Sequence, residues 1–404
     1  MTSGSPRRHR QAGDAAARER PGGNPVHDAV AGPVGAAEGL LVGPSGAEAG
    51  DAGDRAAQRP CRVAADQVGE EREDRPAVPG RGRDRGDAVL VRADGPPTRV
   101  PLPELRDAAV TERVTALLAA LTNSGSLAGK MTLRRTVRDV LAWLWRTAVG
   151  PVADALGPAH PGPHRVWWLP TGALGLLPLH AAEEPGRTGA LDVMVSSFVP
   201  SLRALRDARS RPPATRREAL TVVLARTPGQ ADLPGAAAEA SLLDGPTLTG
   251  EEDTAGNVLA ALGAATWAHF ACHAVSDPLS PAAGGLMLHD GTLTLPEIGG
   301  LRLTEAELAY LSACSTADHG VRYADEVLHL ASAFHLAGFR HVVASLWPLD
   351  DTVAAKAAAA FYTALDAAPT ADPAASTLRD VTLDLRSRLR NNPELWAPLV
   401  HSGP

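Results

Sequence analysis

The chain has 404 residues, 44% of them hydrophobic, which allows two or three domains and a sizeable core. Its formal net charge is −7, and although 37 of its 39 basic residues are arginine they form no sustained stripe, which argues against a nucleic-acid partner. Three cysteines (Cys61, Cys272, Cys314) make no disulfide framework, no apolar run reaches the length of a membrane span, and the Arg7-Arg8-His9-Arg10 cluster leads into no signal-peptide core, so a reduced, cytoplasmic protein without a membrane partner is expected.

Residues 1–85 contain no aromatic side chain, balance 13 arginines against 13 acidic residues, and show neither helical nor strand periodicity. Such a segment buries too little apolar area to offset its ordering entropy and is expected to be a disordered, low-complexity region. The same composition fits out-of-frame translation of GC-rich DNA from a non-native start. Tryptic peptides from residues 20–80 of the native protein would remove that second reading.

Regular patterning begins near Asp87, which places a folded domain over residues 86–404. Ala88–Val91 reads as a strand. Leu105–Leu121 and Leu133–Ala148 carry apolar residues at i, i+3, i+4 spacing, so residues 104–150 form a helical N-terminal part. Six further strands are expected at Val166–Leu169, Val193–Val199, Leu220–Ala225, Thr266–Cys272, Leu308–Ala313 and His341–Leu346. Between them fall helices at Gly235–Leu243, Thr254–Leu262, Asp325–Ala337, Thr352–Leu365 and Thr377–Arg390. Asp351 or Thr352 is placed to cap the helix that starts there, and Gly338 to end its predecessor. Asp290-Gly291 between apolar runs signals a hairpin. Short apolar strands alternating with helices predict an α/β fold, a largely parallel sheet flanked by helices on both faces. No 34-residue repeat is present, so tetratricopeptide repeats are absent.

Two of these strands end in reactive residues, His273 and Cys314, 41 residues apart with the histidine first. That order suits a caspase-like cysteine protease, whose His lies about 50 residues before the Cys, and not a papain-like one. In an open α/β sheet, sites form beyond the C-terminal strand ends. On neighbouring strands about 4.8 Å apart the two side chains would converge without help from another element. The imidazole would generate the attacking thiolate and then protonate the leaving amine, with the backbone N–H groups of Ala274 and Cys314 as the oxyanion hole. Either residue alone reads more readily as a core residue, and the pair carries the catalytic reading. Cys272 should face the core, since neighbours on a strand point to opposite faces. His269 reads as a buried hydrogen-bonding residue. Neither it nor the scattered His319, His329, His335 and His341 gives a zinc-ligand pattern, and no cofactor motif occurs, so neither cofactor nor metal is expected.

His-Phe-Ala-Cys-His273 and Leu-Ser-Ala-Cys314-Ser-Thr resemble the two signature segments of the CHAT domain, a caspase-like peptidase domain often found with tetratricopeptide repeats. The resemblance extends through Trp168–Ala182, the Leu233–Glu239 helix start, Asp325–Asp350, Phe361-Tyr362 and Trp396–Val400, within residues 88–404. It implies a caspase-like fold with His273 and Cys314 as a dyad. It further implies a cysteine endopeptidase that cuts a protein substrate in a bacterial signalling or defence-type system under a regulatory or sensor partner protein. The alternative is a catalytically silent interaction module of the same fold. Two positions depart from the pattern. Ala274 stands where members often carry Gly. Ser312 stands where Arg/Lys-cleaving relatives such as metacaspases carry Asp, which weakens the case for cleavage after a basic residue. Asp277, Asp318 and Asp325 are the acidic residues left to line a specificity pocket, but each reads more readily as a solvated loop or cap residue.

Overall fold

A computed structural model describes residues 38–44, 86–92, 95–159, 161–227, 230–275, 283–312 and 323–404, with backbone only for 38–44 and 323–329. Fourteen strands occur among them: β1 (Glu38–Pro44), β2 (Gly86–Val91), β3 (Thr98–Leu102), β4 (His164–Pro170), β5 (Met194–Phe198), β6 (Ala219–Val223), β7 (Thr247–Thr249), β8 (Trp267–Ala271), β9 (Ala274–Val275), β10 (Gly285–Leu288), β11 (Gly291–Thr294), β12 (Leu308–Leu311), β13 (His341–Ser345) and β14 (Leu399–Ser402). Eleven form one sheet in the order β3-β2-β1-β4-β5-β14-β13-β12-β8-β6-β7, and β11-β10-β9 form a small second sheet.

The main sheet is largely parallel. Only β1·β2, β2·β3 and β13·β14 run antiparallel. Every residue of β6, β8, β12, β13 and β14 is buried. Successive side chains on a strand point to opposite faces, so the sheet is covered on both, and the helices supply the cover. This is the predicted α/β architecture, a largely parallel sheet flanked by helices on both faces. The core holds Trp168, Trp347 and Trp396 fully buried, and the Trp347 indole donates to the Glu394 carbonyl at 3.0 Å.

Several helices follow the sequence pattern closely, including Asp107–Thr122, Ala255–Leu262 and Tyr323–Ala337. Leu127–Leu144 passes through a π-turn, Trp145–Val149, into Gly150–Leu156. Gly338 ends Tyr323–Ala337 at φ +133°, where a Cβ would lie 2.1 Å from the Leu303 carbonyl oxygen, so no other residue fits. Asp290-Gly291 does turn a hairpin, between β10 and β11.

Three expectations need correction, and one strand went unforeseen. Disorder over residues 1–85 fails at Glu38–Pro44, which pairs parallel with β4 and antiparallel with β2. The apolar run Leu40-Leu41-Val42 supplies the strand, and pairing on both sides satisfies its backbone. The helix expected over Gly235–Leu243 is a single turn, Ala236–Glu239. Asp350, one residue earlier than expected, caps the helix Asp351–Leu365, its Oδ1 accepting from Thr352 N at 3.1 Å and Val353 N at 3.3 Å. Asp351 instead accepts a hydrogen bond from the Gly235 N–H. Finally, β14 is a central strand that no periodicity announced.

Candidate active site

β8 and β12 are adjacent and parallel, paired from Leu308↔Trp267 to Leu311↔Phe270. His273 lies two residues beyond the C-terminal end of β8 and is 5% exposed. Its Nε2 is 2.8 Å from the Ala231 carbonyl oxygen. A carbonyl only accepts, so Nε2 carries the proton, and in the neutral ring Nδ1 is the basic nitrogen. The backbone of His273 is held as well, its carbonyl accepting from Met287 N of β10 at 2.7 Å.

Ala274 opens β9 and faces Leu286. With the rung carried by His273 O and Met287 N, Ala274 and Leu286 form a non-hydrogen-bonded pair, so the Ala274 N–H turns away from β10. Strand backbone suits alanine as well as any residue, so the departure from Gly carries no strain here.

Cys314, together with its N–H, lies outside the described residues, as do Asp277 and Asp318. Asp325 is described in backbone alone. Ser312, two residues before Cys314, donates its N–H to Phe270 O at 2.9 Å, continuing the β8 pairing. It is 8% exposed, and its Oγ has no hydrogen-bond partner among the described residues.

Cys272 is fully buried, as its position on the strand predicts. Burial, and after it the Asp253 carboxylate, push its thiol well above the usual range, so it stays protonated and inert. His269 is also fully buried. Its Nδ1 shares a hydrogen bond with the Tyr362 hydroxyl at 3.1 Å, and its ring stacks on Tyr310, its register partner on β12, at 5.3 Å. Its Nε2 lies 2.9 Å from Glu239 Oε2 but off the line of a hydrogen bond. Burial drives the Tyr362 phenol far up, so it stays protonated.

Sequence reasoning missed three contributors: Ala231, which fixes the ring of His273, and Glu239 and Asp351. The last two line one small pocket with His273 and Ser312. Ala231 acts through its carbonyl, which any residue would supply, so no side-chain signal marks it. Glu239 was read only as part of a helix start.

Glu307, His341 and Asp372 bring three potential metal-ligating atoms within 4.8 Å of one another. Arg340 bridges two of them, NH1 on Glu307 at 2.8 Å and NH2 on Asp372 at 3.0 Å, and thereby meets their charge. No helix among the described residues is long and apolar enough to cross a membrane.

Comparison with known proteins accords with this geometry. The CHAT domain family model matches residues 138–404. Among solved structures, the Saccharomyces cerevisiae separase–securin complex aligns with a TM-score of 0.52 at 11% identity, covering 78% of this chain and 29% of that one. The complex of the pro- and mature domains of Porphyromonas gingivalis RgpB aligns with a TM-score of 0.41 at 10% identity, covering 73% and 76% of the two chains. The separase likeness is one of fold and is caspase-like; this chain spans less than a third of that protein's length. A comparison with curated protein sequences finds no match.

Proposed function

The chain belongs to the CHAT domain family and carries a caspase-like cysteine peptidase-type domain, and from that premise we propose that it is a cysteine endopeptidase using His273 and Cys314. One observation carries the dyad. The β8–β12 pairs are 41 residues apart throughout, the same separation as His273 and Cys314. A His clamped through Nε2, with Nδ1 left basic, supplies the other half of the chemistry.

In this mechanism Nδ1 takes the proton from the Cys314 thiol. The thiolate attacks the scissile carbonyl carbon, forming a C–S bond, and the carbonyl electron pair moves onto oxygen. The N–H groups of Ala274 and Cys314 hold that oxyanion. The intermediate collapses with loss of the amine, which leaves with the proton from the His273 imidazolium. Water, deprotonated by the same Nδ1, then hydrolyses the thioester and frees the thiol.

The substrate is a protein, cut in a cytoplasmic bacterial signalling or defence-type system, and a separate regulatory or sensor protein gates the site. The separase neighbour is seen with securin, a precedent for a protease of this fold held by a protein.

The test is to express the full chain and its Cys314→Ala variant and profile new peptide termini in a lysate. Cleavage that depends on Cys314 is expected. A Cys314 unreactive to thiol reagents, with identical termini in both samples, points instead to a silent interaction module.

A further inference from the structure

One pocket beside His273 holds a buried hydroxyl, Ser312 Oγ, with no hydrogen-bond partner among the described residues, and the carboxylate of Glu239, 3% exposed, whose Oε2 already lies 2.9 Å from His269 Nε2. A buried hydroxyl left unmet is costly, and native structures rarely keep one without use. Asp351 adds a second carboxylate to the same wall, and Leu233 and Leu349 add apolar surface. The pocket is therefore acceptor-rich and acidic, with an apolar sleeve. It reaches His273, whose ring any scissile bond must approach.

We infer that this is the pocket for the residue preceding the scissile bond, and that it takes lysine. The inference rests on the peptidase reading given above. A lysine tetramethylene stem matches the apolar wall, and its ammonium has three donors for separate acceptors. Ser312 Oγ and the carboxylates of Glu239 and Asp351 are such acceptors. Arginine fits less well, because its planar fork needs one carboxylate presented edge-on and more room than a small pocket gives. Ser312, in place of the Asp of Arg/Lys-cleaving relatives, does not remove basic specificity on this view. The acidic charge comes from the Glu239 turn and the start of the helix Asp351–Leu365 instead.

The experiment is to treat the full chain with peptidyl acyloxymethyl ketones differing only in the final residue, lysine, arginine, norleucine or aspartate, and to quantify alkylation of Cys314. Norleucine keeps the stem of lysine and lacks the charge. Lysine is expected to label faster than norleucine by about tenfold to a hundredfold, the worth of one or two charge-assisted hydrogen bonds. In Glu239→Gln the ratio should fall toward one. Because that variant removes a charge beside His269, its melting is checked first, and Ser312→Ala, expected to lower the same ratio by a smaller factor, gives a second reading. Equal or faster labelling by norleucine or aspartate overturns the lysine pocket while leaving the peptidase intact. Failure of every probe at a Cys314 that iodoacetamide still alkylates overturns the peptidase reading and this inference with it.

Discussion

Asp253 is wholly buried, and both its carboxylate oxygens are without a hydrogen-bond partner among the described residues. Burial first, and the Asp290 charge second, raise its pKa from 3.8 to about 7. The folded state therefore binds a proton that the unfolded state has released across that window. The stability it contributes is complete below pH 3.8 and is lost as pH rises through 7. At about 1.4 kcal/mol per pKa unit the whole window is worth about 4 kcal/mol, of which about 2.5 kcal/mol falls between pH 5 and pH 8. Asp253→Asn keeps the shape and cannot ionise. Thermal melts at pH 5 should put the two proteins close together. At pH 8 the variant should melt about 4 °C higher than the wild type, relative to its position at pH 5. Parallel loss of stability in both proteins from pH 5 to pH 8 would refute the assignment of a buried proton to Asp253.

Three further outcomes are expected. Burial lowers His180 and His335 from 6.5 to about 4, so the unfolded chain binds protons that the fold excludes. Each costs up to about 3 kcal/mol as pH falls from 6.5 toward 4, and a urea midpoint unchanged between pH 7 and pH 4.5 would contradict this. Native Cys272 should resist iodoacetamide, and Cys272→Ala should cost about 1 kcal/mol while sparing cleavage; loss of cleavage with an intact melt would show that the thiol takes part. Glu307 is buried and accepts from Arg340 at 2.8 Å, Ala214 N at 3.0 Å and Ala371 N at 3.3 Å. Glu307→Ala strands a buried guanidinium and should cost about 3–5 kcal/mol by denaturant titration; a loss under about 1 kcal/mol would mean that Asp372 alone compensates Arg340.

The strands that build the site were legible because each is a compact apolar run whose two faces must both be covered. Trp267–Ala271 and Leu308–Leu311 are such runs, and their neighbouring pairing followed. β14 was not legible, because Leu399-Val400-His401-Ser402 places two polar residues in a central strand. His401 is buried there only because its Nδ1 meets Ser197 Oγ at 2.5 Å and its Nε2 meets His341 Nδ1 at 3.0 Å, partners 204 and 60 residues away. β1 is hidden for a related reason, three apolar residues in a stretch whose composition otherwise excludes a core. In the site, the acting residue His273 showed in the pattern while the residues that act upon it did not. The Ala231 carbonyl is common to all residues, and the Glu239 carboxylate gains meaning only from the pocket it lines.

The surroundings of His273 divide into two parts of different character. One is the end of the main sheet, where β8 and β12 are buried on both faces and the Ala231 carbonyl fixes the ring. The other is the small sheet β9–β11, tied to His273 by the Met287 rung and to the preceding loop by His289 N on Asp253 O at 2.8 Å. Asp290 joins the same loop by accepting from Ala255 N at 3.0 Å, at the start of the helix Ala255–Leu262. The loop that carries the costly Asp253 is thus the loop that anchors the hairpin, and the hairpin strand β10 is what orders Ala274. The imidazole is held from the other part, through the Ala231 carbonyl. In the proposed mechanism the proton acceptor is thus fixed at the end of the main sheet, and the proposed oxyanion donor Ala274 by the hairpin that the Asp253 loop anchors.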